Sequence, residues 1–208
     1  QRRLIHVNTK IKYDQADGTF IDLFTGMNAT SIPNYNTFDD LAIIASSSTS
    51  DVPKSWDLTT AQNLAGTPPR FSFSITHKNH VFAAGNFSAP SRLYFCKPLD
   101  PEDWIGTGSG SIDVDPNDGD MITGIASHKD NVWVFKGPYK GSIHRITGSA
   151  LADFAKVSFV TGLPVAWHNS IFKFGDDLGF ISANGSVHST KATAAYGDYN
   201  QAWLSYPI

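Results

Sequence analysis

Asp130-Asn131-Val132-Trp133-Val134-Phe135-Lys136 is the stretch whose reading decides the fold. Asp and Asn tolerate turn geometry and bond their own backbone, so the pair opens a tight turn. The residues after it alternate with the period of two that a half-buried strand requires, which sets Val132 and Val134 on one face and Trp133 on the other. The same pattern, an Asp or Asn, any residue, then Val or Leu opening an alternating strand, recurs three more times. The copies are Asp39-Asp40-Leu41 with Ile43, Asn79-His80-Val81 with Ala83, and Asp176-Asp177-Leu178 with Phe180. From 39 to 79, 79 to 130 and 130 to 176 the steps are 40, 51 and 46 residues.

A second marker trails the first in three copies: Leu93 in Ser91-Arg92-Leu93, Ile143 in Gly141-Ser142-Ile143 and Val187 in Gly185-Ser186-Val187. Each unit therefore holds a further strand. Between the apolar runs, 17 Gly and 11 Pro join Asn, Asp, Ser and Thr as punctuation about every ten residues, the pattern of many short strands. Helical periodicity is confined to short turns expected near Asn63-Leu64 and over residues 148–153. The fold class expected is all-β, built from propeller-like repeats of about 40–50 residues with four short strands each. A β-sandwich of the same strands is the alternative, and the blade-length repeat favours the propeller because sandwich strands need not recur as groups.

One all-β repeat domain is expected over residues 1–208, with units at 1–30 (partial), 31–69, 70–118, 119–162 and 163–208. The partial unit contains a hairpin from Ile11-Lys12-Tyr13 to Thr19-Phe20-Ile21-Asp22-Leu23 around Asp17-Gly18. Four turn markers imply three complete units and portions of others, fewer than the 4 to 8 blades of a closed propeller. The opening residues Gln1-Arg2-Arg3-Leu4-Ile5-His6 also lack a start methionine and the apolar core of a signal peptide, so the chain reads as an excerpt or a processed form.

With 41% hydrophobic and 17% charged residues the chain has material for a core, and a formal net charge of -3 gives no general attraction for nucleic acid or an anionic membrane. No apolar run approaches a membrane span. The single cysteine, Cys96, lies in the strand-like Leu93-Tyr94-Phe95-Cys96 and is expected to pack as a small apolar group.

A longer series of segments carries a resemblance. The run Asp51-Val52-Pro53-Lys54-Ser55-Trp56-Asp57, then Gly66-Thr67-Pro68-Pro69, His80-Val81-Phe82-Ala83-Ala84-Gly85 and Pro90-Ser91-Arg92-Leu93-Tyr94-Phe95 begins it. Asp100-Pro101-Glu102-Asp103-Trp104, residues 117–124, Val134-Phe135-Lys136 and residues 179–185 continue it in order. Over roughly residues 30–190 the sequence resembles the β-propeller tail and virion structural proteins of tailed bacteriophages, of the tail-nozzle or head-to-tail ring type. The resemblance implies a non-catalytic component of a virion, located in the tail or head-to-tail region. Its implied partners are other virion proteins and copies of itself in a ring, with a host surface receptor or a glycan as a further partner. It brings no catalytic residues and no cofactor.

Candidate chemistry was weighed against plain structure. The acidic run 113–120 offers Asp113, Asp115, Asn117, Asp118 and Asp120 as oxygen ligands for a hard cation such as calcium. It departs from the EF-hand pattern, with Asp118 where a glycine belongs and Gly124 where a glutamate belongs, and an ordinary Pro-Asn-Asp-Gly turn explains it better. Of the seven histidines, His77 and His80 are closely spaced, but positions three apart on one strand face opposite ways. His77 and His128 stand at matching places beside their turns, as a repeat would put them.

The glycine-rich 106–110 stretch has no helix after it to bind an anion. No Gly-x-Ser-x-Gly elbow is present. A sialidase-like propeller would need an Asp-box, and Asp17-Gly18-Thr19-Phe20 lacks its spacers. The five tryptophans, Trp56, Trp104, Trp133, Trp167 and Trp203, could stack on sugars or fill space between sheets. Trp56 and Trp104 both end a Pro-x-x-Trp, which predicts a repeated plug, and loop 98–110 is the expected recognition loop of a glycan- or receptor-binding alternative. Cleavage of a glycan is the less favoured third reading.

Overall fold

The computed structural model describes residues 2–196 and Leu204. It contains five antiparallel meanders, each a small sheet of strands in sequence order. Sheet I holds β1 (Leu4–Val7), β2 (Lys10–Asp14) and β3 (Phe20–Thr25). Sheet II holds β4 (Pro33–Phe38), β5 (Leu41–Ser46), β6 (Lys54–Trp56) and β7 (Ala61–Asn63). Sheet III holds β8 (Phe73–His77), β9 (His80–Ala84), β10 (Arg92–Phe95) and β11 (Gly110–Asp113). Sheet IV holds β12 (Met121–His128), β13 (Asn131–Gly137), β14 (Ser142–Thr147) and β15 (Ala155–Thr161). Sheet V holds β16 (Ile171–Phe174), β17 (Asp177–Ile181) and β18 (Val187–Ser189), followed by helix α1 (Thr190–Tyr196).

The repeated turn joins the first two strands of every sheet. Pairs Val7 with Lys10, Phe38 with Leu41, His77 with His80, His128 with Asn131 and Phe174 with Asp177 close two-residue loops. The first loop residue is left-handed throughout: Asn8, Asp39, Lys78, Lys129 and Gly175 have φ of 55°, 47°, 52°, 52° and 57°. Such turns match the right-handed twist of the strands they join. The sequence alignment of the copies was therefore one residue out in sheet II. Asp40, and not Asp39, corresponds to Asn79, Asp130 and Asp176, and Ile44 takes the place of Ala83 and Val134. The two-residue loop also corrects the reading of His77 and His80, which are direct cross-strand partners and not two points on one strand.

Burial follows this register. Ile44 packs toward sheet I with Ile11, Phe24 and Met27, whereas Ile43 and Ala45 pack toward sheet III with Val81 and Ala83. Phe82 and Ala84 meet Val132 and Val134 between sheets III and IV. Trp133 and Phe135 meet Leu178 and Phe180 between sheets IV and V. Both faces of a middle strand are thus apolar because each sheet is sandwiched between neighbours. The first strands of sheets II to V stand side by side, β4 on β8, β8 on β12 and β12 on β16. At the other edge β7 is exposed throughout, as is the start of β15.

The expected second marker lies in the third strands, Leu93 in β10, Ile143 in β14 and Val187 in β18. Of the two expected helical turns, the one at Asn63 is absent because Asn63 belongs to β7, whereas the 148–153 loop does close in a single turn, the Asp153 and Phe154 N–H groups donating to Ala150 O at 3.0 and 3.1 Å. The helical residues are α1 and a 3₁₀ turn at His168–Ser170. The Pro-x-x-Trp plugs are not equivalent. Trp56 pairs with Ala42 inside sheet II and lies 4.8 Å from the Tyr13 ring, while Trp104 sits in the β10–β11 connection, 5.5 Å from Phe71. Among the described residues no helix is long and apolar enough to cross a membrane.

Candidate binding site at the axial mouth

Where the first strands meet, they enclose an axial channel. One end is an open cavity of about 510 Å³. Its wall comes from the starts of first strands, Pro33 and Asn34 of β4, Phe73 of β8 and Met121 to Thr123 of β12. Its rim comes from loops after second strands, Ser47, Asn86-Phe87 and Pro138-Tyr139, with Ala166 to Asn169 closing the far side. Large apolar side chains stand open here: Ile32, Phe87, Tyr139 and Trp167 are 61%, 59%, 78% and 72% exposed. Among the described residues the lining contains no Asp, Glu, Lys or Arg.

The floor is the 3₁₀ turn. The His168 ring stacks flat on Phe73 at 4.6 Å, and its Nδ1 accepts the Ile125 N–H at 3.3 Å. That bond requires an unprotonated Nδ1, in keeping with burial, which pushes the imidazole down to about 4. The channel floor is therefore neutral. Beyond it lies a second cavity of about 550 Å³, lined with Asn36, Thr37, Thr76, Ser127 and Lys173, to which His168 and Asn169 also contribute.

The acidic run underpins the rim. Asp120 is buried, and its carboxylate accepts the N–H groups of Tyr139, Lys140 and Gly141 at 2.8, 3.0 and 2.7 Å, fixing the loop that presents Tyr139. Next to it, the fully buried Lys136 Nζ donates to Val114 O at 2.7 Å, Asp115 O at 2.8 Å, Asp118 Oδ2 at 2.7 Å and Ser91 Oγ at 3.3 Å. Those oxygens surround the ammonium as they would a metal ion, and the cation belongs to β13. The remaining candidates are dispersed. Asp113 pairs with Arg92 through two bonds of 2.6 and 2.9 Å, and Asp115 pairs with Lys156. Each pairing holds its carboxyl below the usual range. Asn117 is an exposed turn residue with φ 68°. Among the described residues no three His, Cys, Asp or Glu side chains converge on one metal position.

Histidines work at sheet joints. His77 Nδ1 meets Ser127 Oγ at 2.8 Å, from sheet III to sheet IV, and His128 Nε2 meets Asp176 O at 3.1 Å, from sheet IV to the turn of sheet V. Cys96 is buried, its Sγ accepts the Val81 N–H at 3.0 Å, and burial raises its thiol to about 11. Of the tryptophans, Trp56, Trp104 and Trp133 fill intersheet cores, Trp167 stands at the mouth, and Trp203 lies outside the described residues. Loop 98–110 contributes nothing to the mouth, and the glycine-rich 106–110 stretch leads into strand β11. Sequence reasoning overlooked Ile32, Phe87, Met121 and Tyr139. One signal was available: Gly85-Asn86-Phe87 and Gly137-Pro138-Tyr139 repeat a Gly-x-aromatic after the second strand.

No known family matches the sequence, and no curated protein is similar to it. The fold has relatives among solved structures. A chain of the nidogen/laminin complex superposes with a TM-score of 0.58 at 11% identity, covering 90% of this chain and 73% of that one. The extracellular domain of a hybrid two-component system from B. thetaiotaomicron gives 0.62 at 10% identity, covering 90% of this chain and 24% of that one. The fold is a β-propeller. The five sheets are its blades, and the axial mouth opens at the blade centre where propeller loops converge. Identities this low speak for fold alone.

Proposed function

We propose that the chain is a non-catalytic assembly module of a phage virion, joined to a neighbouring virion protein through the axial mouth. The observation that carries the reading is the uncharged rim of Ile32, Phe87, Tyr139 and Trp167, more than half exposed. The buried centres of protein interfaces are poor in charge and rich in aromatic residues, which is the composition found here. The virion assignment adds the sequence resemblance to phage tail proteins. Glycan cleavage would call for two carboxyl groups about 5 to 10 Å apart across the scissile bond. Among the described residues neither axial cavity is lined by an Asp or Glu.

The test is to assemble particles carrying Tyr139→Glu with Trp167→Glu and to measure incorporation of the chain by mass spectrometry and electron microscopy. Both side chains are exposed, so the variant should melt like the parent. Loss of the chain from particles is expected. Full incorporation of a correctly folded variant would overturn the reading.

A further inference from the structure

We propose that the occupant of the axial mouth is an uncharged, proline-rich segment of a partner protein, bound in extended polyproline II form. The inference rests on reading the mouth as a docking surface, and three observations on that surface narrow the ligand.

The first is charge. Among the described residues the lining has no Asp, Glu, Lys or Arg and lies above a floor kept neutral by the stacked His168, so none of them compensates a charged side chain on entry. A charged segment would lose its hydration without a partner.

The second is shape and surface. The mouth is concave, and the exposed rings of Phe87, Tyr139 and Trp167 stand around it with Pro90 and Pro138. Aromatic-lined grooves recognise prolyl segments because pyrrolidine rings pack flat between aromatic faces, and the polyproline II helix loses little entropy on binding.

The third is the set of hydrogen-bonding groups at the rim. Oxygens at the rim are already engaged: Asn34 Oδ1 accepts the Ser74 N–H at 2.9 Å, Asn86 Oδ1 the Ser88 N–H at 2.9 Å and Ser47 Oγ the Ile32 N–H at 2.8 Å. Donors are left over. Among the described residues the Asn34 Nδ2 and the Trp167 indole N–H, which only donate, and the Tyr139 hydroxyl and the Asn169 amide, which can also accept, make no hydrogen bond. A ligand suited to such a surface is apolar and offers several acceptors for these donors. Consecutive prolines do this, since each contributes a carbonyl and no N–H.

The experiment titrates the purified chain with a poly-L-proline nonamer, following indole fluorescence and amide chemical shifts. Saturable binding is expected, with shifts at residues lining the mouth and affinity lowered at least tenfold by Trp167→Ala and by Tyr139→Ala. Unaltered melting of both variants would show that the loss is local. Absence of saturation at about 1 mM peptide, a free energy near −4 kcal/mol, would overturn the inference. Saturation of the same residues by a neutral oligosaccharide but not the peptide would overturn it too, as would concealment of the mouth by self-association in sedimentation. If the peptide fails while Tyr139→Glu with Trp167→Glu still blocks incorporation, the docking role survives and the ligand class falls. If the peptide binds but incorporation is normal, the ligand class survives and the docking role falls.

Discussion

Replacing Lys136 by Met isolates the contribution of a buried cation to a loop that looks like a metal site. The methionine can follow the aliphatic path of the lysine, so packing changes little while the ammonium disappears. Four oxygens lose their donor: two backbone carbonyls, the Asp118 carboxylate and the Ser91 hydroxyl. Removing one member of a buried ion pair costs about 3–5 kcal/mol, most of it from the group left uncompensated. Asp118 retains 26% side-chain exposure and can recover some water, which places the expected loss at the lower end, about 3 kcal/mol. With a urea slope of about 2 kcal/mol/M the midpoint should fall by about 1.5 M. Adding Asp118→Asn to Lys136→Met removes the orphaned charge and should restore about 1 kcal/mol. Urea unfolding followed by tryptophan fluorescence reads both numbers. A loss under about 0.5 kcal/mol for Lys136→Met, or strict additivity of the two changes, would refute the oxygen cage as the organiser of residues 113–120.

Acid should weaken the protein well above the carboxylate range. His168 takes a proton near 6.5 when unfolded but only at about 4 when folded, so between those values the unfolded chain binds more protons and stability falls as pH falls. The full effect is about 3 kcal/mol, and His77, His144 and His188, all lowered chiefly by burial, act in the same direction. Urea midpoints at pH 7 and 4.5 check this, and a flat profile, or one unaltered by His168→Asn, would contradict it. Gly141→Ala should be strongly destabilising, by about 2–4 kcal/mol, because a Cβ there would lie 1.9 Å from the Pro164 backbone nitrogen and φ is +72°. An unaltered thermal midpoint would rule out that close approach of the Tyr139 loop to the strand leading into sheet V.

Fold class was legible because strand alternation and turn chemistry are local. Val132 and Val134 announce a strand with one buried face, the burial of Trp133 on the other face being visible only in the structure, and Asn79, Asp130 and Asp176 announce the turn before such strands. The register in sheet II was lost for a physical reason. The left-handed position is held by Lys78 and Lys129 in two copies, residues with no turn signature, so the visible marker is the second loop residue, and Asp39-Asp40 satisfies either alignment. The hairpin at Asn8-Thr9 escaped notice because its second loop residue is Thr9, where the other four copies carry Asp or Asn. Helix α1 has seven residues, too few for a periodic stripe. The mouth was largely illegible, since it gathers side chains from Ile32 to Asn169 that no local pattern connects. The acidic run was conspicuous for the right chemistry, a caged cation, but its partner Lys136 is far enough along the chain to be missed.

The sharing of cores between consecutive blades bears on how the molecule comes apart. Sheets II, III and IV each lie between two of the four intersheet clusters, whereas among the described residues sheets I and V each border one. Because each blade is stabilised by its neighbours, an arrangement of this kind behaves like a short stack whose end units fray at lower free energy than its middle. Amide exchange should then be fastest in sheets I and V and slowest in β9 and β13. The wall of the axial mouth on sheets II to IV would then hold while its far side, tied to β17 by the Ala166 N–H to Ile181 O bond of 3.1 Å, moves with sheet V.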